Sequence, residues 1–127
     1  MLYIWEGSFR NIYINERKKG VILQHSPARK SRCDFPDLKM PDVESEIKLI
    51  EAISQAKVMA IALSHEDLSE NEILRIIANY EKKFQLATTD VLSHGCQKLV
   101  QALSNQFPKL RQTVKRKRLK IAPAMAA

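Results

Sequence analysis

Apolar residues in this chain follow two rhythms, short unbroken runs and stripes at helical spacing. The run KVMAIAL at residues 57–63 is apolar without alternation, which predicts a strand covered on both faces, as in a parallel sheet. GVILQ at 20–24 predicts a second strand, residues 2–5 another that ends at Glu6 and Gly7, and residues 86–88 a short fourth. Helical stripes lie between them. Val43, Ile47, Ile50 and Ile53 predict a helix over 43–55, with Asp42 as its N-cap. Ser69 and Glu72 have the spacing of a capping box, ahead of an apolar face of Ile73, Leu74, Ile76, Ile77 and Tyr80. Cys96, Leu99, Val100 and Leu103 predict a third helix over 93–105, limited by Pro108. Residues 26–41, with Pro36 and Pro41 among them, predict irregular chain.

Helices that alternate with evenly apolar strands define an α/β fold, here a three-layer, partial parallel sheet with flanking helices and right-handed crossovers. So few strands resemble the back portion of a larger domain. With 127 residues the chain is one domain. Residues 1–110 form the α/β unit, and residues 111–127 read as a basic, disordered tail with little apolar surface to bury.

Charge adds one element to this picture. Lys and Arg number 21 against 14 Asp and Glu, a net charge of +7. Much of the excess sits in Arg17-Lys18-Lys19, in Arg29-Lys30-Ser31-Arg32 and in Lys115-Arg116-Lys117-Arg118. Such a tail gives weak, non-specific attraction to polyanions and does not define a binding fold. No apolar run approaches the roughly 20 residues that cross a bilayer, so no membrane association is expected. The opening MLYIWEG lacks the basic start and long apolar stretch of a secretory signal. Cys33 and Cys96 make neither a disulfide framework nor a metal site, and a reducing cytoplasm is the expected location.

Ligands in such sheets bind at the carboxyl ends of the parallel strands. His25 ends the second strand, where it is expected to be exposed, with Arg29, Lys30 and Arg32 close behind to hold a phosphate or carboxylate. A solvent-facing basic loop is the competing explanation. Glu6 ends the first strand, where an acid can hold a metal ion or a water beside phosphate. Its expected partner, GxxxxGK[ST], is absent, since the three glycines are Gly7, Gly20 and Gly95. A turn and a helix cap account for Ser64, His65, Glu66 and Asp67 unless His65 adjoins His25. Asp90 reads as a cap or loop organiser, His94 as lying near a helix N-terminus, and Cys96 as core.

Four segments in order, WEGSF, GVILQHSPARKSR, KVMAIALSHEDLSENEI and LATTDVLSHGCQKLVQAL, resemble the carboxyl-terminal domain of the DUF1611 family over residues 3–104. The resemblance implies the back part of a P-loop NTPase-type domain and a D-glutamate N-acetyltransferase-like activity, with acetyl-CoA as donor to a D-amino acid. Glu6, Gly7 and Ser8 match the family's acidic strand end and its continuation. His25, Pro27 and Arg29 match a histidine and a Pro-x-Arg turn, with Ala28 where glycine is expected. Ser64-His65 stands where the family has Asn-Thr, while Asp90 and Gly95 fit the last segment. The implied roles are His25 and Glu6 as catalytic groups, and Arg29, Lys30, Arg32 and Ser8 as substrate- or phosphate-binding groups. Nucleotide and Mg would require the absent phosphate loop.

The resemblance further implies an incomplete domain, one that can be inactive alone, whose open sheet is covered in a homo-oligomer or by a separately encoded front-half subunit. The alternative is a small basic interaction or nucleic-acid-binding module in which the sheet is scaffold only.

Overall fold

A computed structural model describes residues 9–13, 19–32 and 34–109, with residues 9–13 and 19 placed by backbone. The elements, in order, are β1 (Phe9–Tyr13), β2 (Lys19–His25), β3 (Ser31–Arg32), β4 (Phe35–Lys39), α1 (Val43–Ser54), β5 (Lys57–Leu63), α2 (Glu70–Phe84), β6 (Ala87–Asp90), α3 (Val91–His94) and α4 (Gln97–Gln106). The main sheet has the order β1-β2-β5-β6. Its β2, β5 and β6 are parallel, and β1 joins β2 antiparallel. The architecture is the expected α/β one, a small parallel sheet flanked by helices.

Two crossovers, β2-α1-β5 and β5-α2-β6, step the same way across the sheet. Right-handed connections then put both helices on one face. Val21, Leu23, Val58, Ile61 and Leu63 of the strands accordingly form one buried cluster with Val43 and Ile50 of α1 and with Ile73 and Ile77 of α2. The opposite face belongs to α4, which packs on β5 and β6 and buries Leu99, with Phe107 just beyond its end. There β5 carries one extra residue against β2, since Val21 faces Val58 while Ile22 faces Ala60. Met59 is the odd residue, and its side chain lies over Gly20 with the Phe107 ring beside it. A Cβ at Gly20 would run into the end of Met59.

Local chemistry explains the element ends. Asp42 caps α1 by accepting the Ser45 N–H at 3.0 Å, and Ser69 with Glu72 closes the capping box of α2. Both helices stop at a glutamine in the left-handed region, Gln55 at φ 54° and Gln85 at φ 55°. Four residues before each stands a glutamate that reaches forward to the next strand. Glu51 accepts the Val58 N–H at 3.1 Å, and Glu81 accepts the Thr88 N–H at 3.2 Å. Lys98 of α4 bonds both Glu81 and the Thr88 carbonyl, so side chains satisfy the main chain of β6 at Thr88.

The fold departs from the sequence expectations at four places. Residues 26–41 are not wholly irregular, because β3 and β4 pair there as a small hairpin. Pro36 is tolerated since β4 is exposed throughout and, among the described residues, pairs on one side alone. The expected third helix is broken: α3 ends at Gly95, whose φ of 76° with ψ of −178° suits glycine alone, and α4 begins after Cys96. Its Cys96 is exposed rather than core. The apolar faces are narrower than expected. Ile53 is 74% exposed, because the buried row through Glu46 and Ile50 continues to Ser54, while Leu74 and Val100 sit about 100° around their helices from Ile73 and Leu99. β1 is a strand that no apolar run announced. The predicted strand at 2–5, together with Glu6 and Ser8, and the tail at 111–127 lie outside the described residues.

Candidate active site at the carboxyl edge of the sheet

Register aligns the ends of the three parallel strands. His25 faces Leu63, Leu63 faces Asp90, and the Ser64 N–H donates to the His25 carbonyl at 2.9 Å. Everything that leaves these strands therefore starts from one rim, made of the loop after His25, the loop 64–69 and the short α3.

On that rim, His65 and Asp90 form a dyad. His65 Nδ1 lies 2.5 Å from Asp90 Oδ2. Asp90 is fully buried, while the His65 side chain is 45% exposed. The carboxylate is held in place by the helix it caps, because Oδ1 accepts the N–H of Leu92 at 3.0 Å and of Ser93 at 3.4 Å. Ser93 Oγ adds a bond to Oδ2 at 3.2 Å and lies 3.4 Å from His65 Nδ1. Burial alone would push the Asp90 carboxyl up. The His65 ring and the two amides outweigh it and hold the group below its ordinary value of 3.8. An ionised acceptor fixes the tautomer: Nδ1 carries the proton, and the Nε2 lone pair is left on the far side of the ring.

A second imidazole follows on α3. His94 Nε2 lies 2.7 Å from Glu70 Oε1. The two pairs cross, since loop 64–69 sends His65 to Asp90 and α3 returns His94 to the first residue of α2. Beside them Arg29, in the turn where its N–H meets the Ser26 carbonyl at 3.1 Å, places Nη2 2.5 Å from Glu66 Oε2.

The expected candidates distribute differently. His25 is at the rim by backbone, yet its side chain is buried, only 7% exposed, with Nδ1 3.3 Å from the equally buried Glu46 Oε2 of α1. Its ring also faces Tyr80 of α2 at 6.2 Å. The expectation of an exposed His25 is thus corrected: α1 and α2 close over the end of β2, and the imidazole ties strand to helix. Arg29 is half-exposed and joins the His65 loop through Glu66, Lys30 is exposed, and Arg32 is half-buried in β3. The turn-and-cap account of 64–67 was incomplete. Its missing signal is the pair KVMAIALSH and LATTD, in which one parallel strand is followed two residues on by a histidine and its neighbour ends in an aspartate. His94 closes the short α3 and stands two residues before Cys96, the N-cap of α4.

Among the described residues no cluster of three or more His, Cys, Asp or Glu is arranged to hold a metal ion, and no helix is long and apolar enough to cross a membrane. An open groove of about 710 Å³ lies at the far end of the sheet, where Lys57 begins β5, lined also by Met59, Glu81, Lys98 and Gln101.

Strand order and helix placement make this a small α/β sheet domain, consistent with a P-loop-type architecture. The chain belongs to the DUF1611 family: the model of that family's carboxyl-terminal P-loop domain, a domain of unknown function, matches residues 16–100. A DUF1611 family protein from Anabaena variabilis ATCC 29413, whose crystal structure was determined at 2.30 Å, is similar in fold, with a TM-score of 0.63 and 24% identity. That similarity covers 68% of this chain and 27% of the other, so this chain spans about a quarter of that protein. No curated protein matches the chain.

Proposed function

We propose that this chain supplies one rim of an N-acyltransferase site, at which the acetyl group of acetyl-CoA passes to the amine of a D-amino acid such as D-glutamate. The reaction class comes from the resemblance of the four segments. The observation that carries the reading is the 2.5 Å contact between half-exposed His65 and buried Asp90.

An ammonium group has no lone pair and cannot attack a thioester, so a base must first take its proton. His65 has the form required of that base. Asp90 holds Nδ1–H, the Nε2 lone pair accepts the amine proton, and the carboxylate stabilises the resulting imidazolium. The amine nitrogen then bonds to the acetyl carbon, and the carbon–sulfur bond breaks. Arg29, whose Nη2 now meets Glu66, can turn its guanidinium to a carboxylate of an acidic acceptor. His25 takes no part in this reading, because its ring is enclosed with Glu46.

A nucleotide with Mg would need the phosphate loop GxxxxGK[ST], which this sequence lacks.

Free-thiol release from acetyl-CoA, with and without D-glutamate, tests the proposal. D-glutamate should accelerate release, and His65→Gln should lower the accelerated rate by about 10²-fold or more. Indifference to the amine, or equal rates in the variant and the natural chain, ends it.

A further inference from the structure

We infer that His94 is a second catalytic residue of the same rim, the acid that protonates the departing thiolate. This deepens the acyltransferase reading and rests on it.

His65 uses Nδ1 on Asp90, and His94 uses Nε2 on Glu70. The two rings are therefore anchored through opposite nitrogens, and each keeps the other nitrogen for chemistry. Among the described residues neither His65 Nε2 nor His94 Nδ1 has a hydrogen-bond partner. The short α3 carries both links to the rim, since Ser93 has its hydroxyl 3.4 Å from His65 Nδ1 and the next residue is His94. Both side chains reach solvent, 45% exposed for His65 and 30% for His94.

Acyl transfer from a thioester to an amine needs two proton movements at two places. The attacking nitrogen loses a proton, and the alkyl thiolate gains one, because it is basic enough to be a poor leaving group near neutral pH. One imidazole can serve both atoms only in turn, and two divide the tasks. His65 Nε2 takes the first proton from the ammonium, and the nitrogen loses its second to water as the carbon–nitrogen bond forms. His94, protonated on both nitrogens, keeps Nε2–H on Glu70 and gives its Nδ1 proton to sulfur as the carbon–sulfur bond breaks. The turnover leaves an amide, a free thiol and a protonated His65. His94 regains its proton from His65 through solvent, and the nitrogen's second proton is the one released overall.

The test varies the leaving group on the whole chain. Two donors of the same acetyl group are compared, acetyl-CoA and the acetyl thioester of a nitrated aryl thiol, whose thiolate leaves without protonation. With acetyl-CoA and D-glutamate, His94→Gln is expected to lower kcat by about 10²-fold with little change in KM. With the aryl thioester the same preparation should lose less than about threefold, so a misfolded fraction cannot imitate the pattern. Glu70→Gln should show the same dependence on the leaving group, more weakly. Equal loss on both donors, or no loss on either, overturns the role of His94 and leaves the reading of His65 standing. Failure of the natural chain to release thiol in response to the amine overturns both.

Discussion

Asp90 Oδ2 lies 2.5 Å from His65 Nδ1, and the same carboxylate caps the helical turn that follows it through Leu92 and Ser93. One buried acid thus performs a structural task with one oxygen and orients an imidazole with the other. The two tasks separate by substitution. Asn is as good an N-cap as Asp, so Asp90→Asn retains the acceptor for the two amides. It loses the charge and presents an amide donor as readily as an acceptor to the ring. The thermal midpoint should fall by only a few degrees, while amine-dependent thiol release falls by about 10²-fold or more. A collapse of the melting curve with unchanged specific activity in the folded fraction would mean that Asp90 is a cap and nothing else.

The same carboxylate makes stability depend on acid. Asp90 is held below its ordinary value of 3.8, and Glu81 below its 4.5, where burial alone would raise both. For Glu81 the opposing partners are Lys98 and the Thr88 N–H. A carboxyl depressed in the folded state binds its proton more readily when unfolded. Its contribution is therefore complete above the ordinary value and is lost as pH falls through the lower folded one. Urea midpoints should be flat from neutrality down to about pH 5 and then drop towards pH 3. Asp90→Asn should shallow that drop. An unchanged acid limb in the variant would remove Asp90 from the account.

His25 and Glu46 predict the opposite division of effects. Each is more than nine-tenths buried and has the other at 3.3 Å. Glu46→Ala leaves the His25 ring without that partner in the interior, and the expected cost is about 3 kcal/mol. Replacing both with leucine should recover most of it, since the site lies among apolar residues and then has no polar group to satisfy. Denaturant midpoints of the single and double variants check this. If His25 were instead a proton acceptor for substrate, His25→Gln would abolish thiol release without moving the midpoint.

These contrasts show where sequence reading reaches and where it stops. The KVMAIAL strand, the Asp42 cap and the Ser69–Glu72 box were legible because each depends on residues a few positions apart. So was the rim, since any parallel sheet puts its strand ends together. What was not legible is which strand-end side chain faces outwards. His25 and His65 look alike in sequence. Glu46, 21 residues beyond His25, draws the first inwards, and Asp90, 25 residues beyond His65, holds the second at the surface. An apolar stripe hides such an acid: Glu46 sits on the buried row of α1 between Val43 and Ile50, where periodicity alone expects another aliphatic side chain. The antiparallel β1 left no apolar run to read.

The two glutamines that end α1 and α2 allow a test of the scaffold apart from any chemistry. Gln55 and Gln85 occupy the left-handed region, which disfavours any residue with a Cβ. Gln85 gains something in return, since its Nε2 donates to the Lys82 carbonyl at 2.8 Å. Gln55 makes no side-chain hydrogen bond among the described residues and is exposed. Glycine fits this backbone without strain, although it also frees the unfolded chain. Gln55→Gly should therefore stabilise the domain by about 0.5–1 kcal/mol, and Gln85→Gly by less, because it gives up a hydrogen bond. Chemical denaturation of the two variants side by side reads the difference. A Gln55→Gly variant less stable than the natural chain would show that unfolded-state entropy outweighs the strain at this corner, and the equal φ values of the two corners would then carry no energetic meaning.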